Sequence, residues 1–175
     1  MIKHLCADHV INPHTETLII GTFNPAIEIN KAKFFYDRSH NAMWTFLGKA
    51  KGVDNLKTKP KSEKLTFLRT HHIDFIDIIE QIPEQPENYD DRLLDRQQNV
   101  IWKDVIGEIS KLRSLKRVCF SRKSFHDVPN IRERMLAIKE DLDRRQILLR
   151  CLHTPARAHS RAWPEWRDFL TETRP

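Results

Sequence analysis

The 175 residues of this chain suit one domain with a single core, and no apolar run approaches the roughly 18 residues a membrane span needs. Three scattered cysteines with no CxxC pair fit a reducing, cytoplasmic setting and argue against a cysteine-ligated iron–sulfur cluster. The formal charge of +6 is uneven: residues 111–161 carry 14 Lys or Arg against 5 Asp or Glu, which suits a polyanionic partner or, more plainly, a solvated helix surface.

The opening MIKHLCADHVINPH holds no apolar signal segment, so export is not expected. ETLIIG (16–21) predicts a buried strand ending at Gly21, and residues 41–50 a short helix. KSEKLTFLRT (61–70) reads as a second helix with Ser62 as its cap. HIDFIDII (72–79) reads as a strand, or a strand running into a loop, and IPEQPENYDD (82–91) as a loop rich in Pro and acids.

Leu94, Ile101, Val105, Ile109 and Leu112 fall on one stripe and predict a long amphipathic helix over 91–113. RVCFS (117–121) and ILLRCL (147–152) complete four β candidates. Between them 130–145 predicts a helix capped by Asn130, and 159–172 a last helix with Pro164 near its first turn. Strands alternating with helices indicate βαβ units, hence an α/β fold: a three-layer α/β/α sandwich around a mostly parallel four-stranded sheet. Ligands of such folds sit beyond the carboxyl ends of the strands, so the segments after Gly21, Phe120 and Leu152 are the places to look for a site.

The first of these is GTFNPAIEIN (21–30), which lacks both GxGxxG and GxxxxGK[ST] and so binds no nucleotide by those devices. Its Gly21 allows close backbone approach, and the Asn24 amide can hold a water. FFYDRSHNAMWTFL (34–47) packs five aromatic rings around a polar knot in which Asn41 is either a pocket residue or a helix cap. LHTPARAHSRAW (152–163) crowds His153, Thr154, Arg157, Ser160 and Arg161 around Pro155, as a phosphate-binding surface or a polar helix cap. Nine His residues show neither HExxH nor finger spacing, so no metal or other cofactor is expected.

In their order and position these segments resemble the uracil-DNA glycosylase superfamily, closest to its mismatch-specific and hypoxanthine-excising branches. The resemblance covers most of the chain as one domain, 1–175. GTFNP resembles the family's first motif, FFYDRSHNAMWTFL its aromatic phrase ending in Asn-x-aromatic-Trp, RVCFSRKSF its third strand, and LHTPARAHSR its second motif. It implies a monofunctional, monomeric glycosylase that flips a deaminated base, uracil or hypoxanthine, out of DNA and hydrolyses its N-glycosidic bond.

Asn24, nearest the place of the family's water-activating Asp, or Asn41 would then hold the water. Thr22, Phe23, Phe35, Tyr36 and Ser121 would line the base pocket, with Phe35, Phe23 or Tyr36 stacking on the base. Arg122, Lys123, His153, Thr154, Arg157, Ser160 and Arg161 would hold the DNA. A non-catalytic nucleic-acid-binding protein of the same fold is the alternative, and a small-molecule hydrolase a third.

Overall fold

The structure is a computed structural model and describes residues 1–156 and 159–172, the side chains of 159 and 160 excepted. The chain starts with β1 (Ile2–Lys3), β2 (Thr17–Gly21), α1 (Met43–Lys51), a 3-10 turn over Leu56–Thr58, and α2 (Lys61–Thr70). It continues through β3 (Ile73–Asp77), β4 (Ile79–Ile82), α3 (Asp91–Asp95), β5 (Ile101–Trp102) and α4 (Val105–Ser110). It ends with β6 (Arg117–Phe120), α5 (Pro129–Arg144), β7 (Leu148–Cys151) and α6 (His159–Thr171).

Strands β3, β2, β6 and β7 lie side by side in that order, all parallel. Every residue of β2 is buried, as a central strand covered on both faces requires. Alternation divides its apolar side chains between two cores. Ile19 joins Phe75, Cys119 and the inward residues of α1, α2 and α6 on one face. Leu18 and Ile20 join Val118, Phe120 and the inward residues of α4 and α5 on the other. The three-layer α/β/α sandwich with its parallel four-stranded sheet is therefore the observed fold. Among the described residues no helix is long and apolar enough to cross a membrane.

Four local expectations are corrected. The 91–113 stripe is not one helix but three pieces, α3, β5 and α4. Leu94, Val105, Ile109 and Leu112 do reach the core, but Asn99 turns to positive φ (57°) and Ile101–Trp102 then pairs with β4. Together with β1, these two strands form a second, antiparallel sheet in the order β1-β4-β5.

Ser62 does not cap α2, whose cap position is Pro60. Asn130 lies inside α5, whose cap position is Val128, and its side chain donates instead to the Asp95 backbone oxygen at 2.8 Å. Asp95 of α3 supplies the capping acceptor, receiving the Ile131 N–H at 2.6 Å. Pro164 lies inside α6, past its first turn.

A polar crevice at the carboxyl ends of the strands

The chain leaves β2 towards β3 on one side, while β6 and β7 lie on the other. The crevice between the ends of β2 and β6 is thus the topological switch point, where open α/β sheets bind ligands. Gly21, Thr22, Phe23 and Asn24 follow β2, Asp77 ends β3, Ser121 and Arg122 follow β6, and His153 and Thr154 follow β7. The aromatic phrase between β2 and α1 closes over them.

Tyr36 takes a left-handed backbone (φ 53°), a costly conformation for a bulky residue, and that turn sends its phenol across the switch point. Its Oη lies 2.9 Å from Ser121 Oγ. A Cβ added at Gly21 would fall 2.5 Å from that same Oη and closer still to Asp77 Oδ1. Gly21 is thus required for space. Burial, with the Asp77 charge second, pushes the Tyr36 phenol well above its ordinary pKa, so the hydroxyl keeps its proton.

Asp77, 8% exposed, is held by His4, whose Nε2 lies 2.7 Å from Asp77 Oδ2. The other ring nitrogen, Nδ1, accepts the Cys6 backbone N–H at 3.0 Å, so a neutral His4 carries its proton on Nε2 and donates it to Asp77. Burial and the Asp77 charge push the Cys6 thiol up to about 12, which removes it as a nucleophile at neutral pH. A parallel pair, His9 Nε2 to Asp74 Oδ1 at 2.7 Å, pins the N-terminal segment along β3. His4, Cys6, His9, Phe35, Phe75 and Asp77 line a cavity of about 320 Å3 beside that strand.

Asn24, also 8% exposed, accepts from Asn30 Nδ2 through Oδ1 at 2.9 Å and donates to the Phe34 carbonyl at 3.4 Å. Its Oδ1 retains a second lone pair. Asn41 Oδ1 accepts the Met43 N–H at 2.9 Å, a capping bond at the start of α1. Phe35, 3% exposed, is enclosed by the rings of His4, His9, Phe34 and Phe75. Trp44 is fully buried and donates its indole N–H to the Phe35 carbonyl at 2.8 Å. The half-buried ring is Phe23, which meets Tyr89 of the 82–91 loop at 6.3 Å between centroids. The Arg38 guanidinium lies 5.7 Å over that tyrosine.

The basic candidates divide. Arg122 is tied to Asp91 at 2.7 Å and Asp127 at 2.6 Å, and Lys123 to Glu165 at 2.8 Å. Burial pushes the Asp91 carboxyl up, while Arg122 and the Thr22 hydroxyl pull against it. Glu165 also receives the His153 backbone N–H at 3.0 Å. His153 Nδ1 sits 3.0 Å from the same carboxylate oxygen, but without hydrogen-bond geometry. Burial would raise the Glu165 pKa, yet Lys123 and His153 outweigh it and hold the carboxyl down at about 2. Thr154 and Arg161 are exposed. Arg157 and the Ser160 side chain lie outside the described residues.

No family model matches the chain, and no curated protein does. A solved structure does: the solution NMR structure of a provisionally assigned uracil DNA glycosylase from Methanosarcina acetivorans, 19% identical over 98% of each chain, with a TM-score of 0.68. The two chains share one fold.

Against that fold, sequence reasoning found the strand ends that bear the site but missed Asp77, His4 and Tyr89. Asp77 closes the strand read in HIDFIDII, so a carboxylate at a strand's carboxyl end was the available signal. Nothing local marks His4, which meets Asp77 from 73 residues away. Tyr89 stood as a lone ring in a Pro-rich, acidic loop.

Proposed function

We propose that this chain is a single-domain, monomeric, cytoplasmic DNA glycosylase of base excision repair, which hydrolyses the N-glycosidic bond of a deaminated base, uracil or hypoxanthine, flipped out of DNA. The observation that carries this reading is the likeness to a provisionally assigned uracil DNA glycosylase over 98% of both chains, with a polar, ring-lined crevice at the switch point.

Water attacks the sugar carbon as the bond to the base breaks, and the base leaves with the bonding electrons. Asn24 Oδ1, through its second lone pair, or Asn41 orients the water. An amide is a weak base, so the chemistry is slow beside that of a carboxylate. Backbone donors near Thr22 and Phe23 face the charge that develops on the leaving base. Phe23 is the ring best exposed to stack on it, with Tyr36 and Ser121 deeper and Phe35 behind them. Arg161, Thr154 and His153, with Arg157 and Ser160, hold phosphates, and Arg122 and Lys123 join by exchanging their carboxylate partners for them.

The test is incubation with labelled oligonucleotides carrying uracil, hypoxanthine, xanthine or a G·T mismatch, followed by alkali. Strand scission at uracil or hypoxanthine is expected. DNA binding with no scission on any of them would leave the non-catalytic nucleic-acid-binding reading. That second reading has one observation in its favour: Asn24 and Asn41 each already accept a protein hydrogen bond.

A further inference from the structure

The glycosylase reading leaves Asp77 without a role, although it is a carboxylate buried deep in the crevice. Its Oδ2 is occupied by the His4 Nε2 proton, and the Cys6 N–H on Nδ1 keeps that proton in place. Its Oδ1 points to the space over Gly21, where Tyr36 Oη also lies. Ser121 Oγ, 2.9 Å away, can donate to Tyr36 Oη and leave the phenolic proton free. An acceptor and a donor therefore stand together above a residue with no side chain.

A flipped base enters such a pocket with its glycosidic bond trailing to the surface, where the DNA backbone lies. The deepest groups then meet the opposite, Watson–Crick edge. Deamination rewrites that edge: the exocyclic amine becomes a carbonyl, and the neighbouring ring nitrogen exchanges its lone pair for N–H. A carboxylate oxygen attracts the N–H and repels the lone pair. We infer that Asp77 Oδ1 accepts from the ring N–H of the base while Tyr36 Oη donates to the adjacent carbonyl, so that this pair selects the lactam edge common to uracil, hypoxanthine and xanthine. The inference rests on the glycosylase reading and names what its pocket recognises. Cytosine and adenine, docked the same way, place a lone pair against Asp77.

The experiment reads binding without turnover. Duplexes carry 2′-fluorinated deoxyuridine or deoxyinosine, whose electron-withdrawing fluorine suppresses cleavage. Counterparts carry N3-methyluracil or N1-methylhypoxanthine, or the fluorinated cytosine or adenine nucleotides. The wild-type protein is expected to bind the lactam bases about tenfold or more tightly than the methylated or undamaged ones, as one hydrogen bond to a charged group allows. In Asp77→Asn, His4 holds the amide oxygen and turns the NH2 to the crevice, so preference shifts towards cytosine or adenine. Tyr36→Phe, which removes only the hydroxyl, is expected to lose part of the lactam preference, about fivefold.

Equal binding of methylated and unmethylated bases, tighter binding of cytosine or adenine by the wild type, or an unchanged preference in Asp77→Asn would each overturn the inference. Scission by the wild type separates the two levels. Scission at uracil or hypoxanthine with an unchanged preference in Asp77→Asn removes the base-reading pair and keeps the glycosylase. No scission, with lactam binding that depends on Asp77, removes the glycosylase and keeps the pair.

Discussion

Gly21 carries the tightest steric demand in the crevice, because Asp77 and Tyr36 both occupy the space a side chain would need. Gly21→Ala is expected to destabilise the fold by about 1–3 kcal/mol through overpacking, read as a lower urea midpoint with an unchanged slope. An alanine variant as stable as the wild type would mean that the two side chains move aside freely. The asparagines act at the same scale. If either orients the water, Asn24→Ala or Asn41→Ala lowers single-turnover scission about tenfold or more while DNA affinity changes little. Unchanged rates in both would remove the amides from the mechanism and leave the fold intact. Asn24 stood out in GTFNP from the sequence alone; that its amide binds Asn30 and Phe34 emerged only from packing.

Helix ends decide much at the scale of elements. Asp95 of α3, only 2% exposed, caps α5 across 36 residues of sequence. Asp95→Ala leaves the Ile131 N–H without its acceptor and is expected to cost about 1–2 kcal/mol, measured by thermal or urea unfolding. Glu165 of α6 joins the exits of β6 and β7 through Lys123 and His153. Its pKa is lowered on folding from 4.5 to about 2, so its contribution is complete above the unfolded value and lost as pH falls through that window. Glu165→Gln is therefore expected to flatten the loss of stability between those pH values while changing stability at neutral pH by less than about 1 kcal/mol. The sequence placed α1, α2, α5 and α6 within a few residues because each carries its own apolar stripe. It misread 91–113 because α3, β5 and α4 share one apparent stripe. What parts them is the pairing of Ile101–Trp102 with β4, an interaction that local periodicity does not register.

The charge balance acts over the whole molecule. Residues 111–161 concentrate the positive charge, yet Arg122 and Lys123 are paired internally. Salt dependence of DNA binding should then come chiefly from exposed cations such as Arg161. Arg161→Ala is expected to weaken binding at every sequence and reduce the slope of log affinity against log salt by about 1. An unchanged slope would move the DNA path elsewhere on the surface.

The parallel four-stranded sheet and its two helical layers follow from the sequence alone. Short apolar runs such as LIIG, and alternating strand and helix patterns, are local properties that hold wherever the chain lies. So does the location of the site at the strand ends, which is a consequence of that topology. The second sheet, the Asp95 cap and the His4–Asp77 pair belong to the tertiary structure. Each joins residues dozens of positions apart, and residue type and spacing carry no information about which distant groups meet. A carboxylate at the end of HIDFID is visible in the letters. That it lies beside Tyr36 over Gly21, with one oxygen held and the other facing the crevice, is decided by the folded chain.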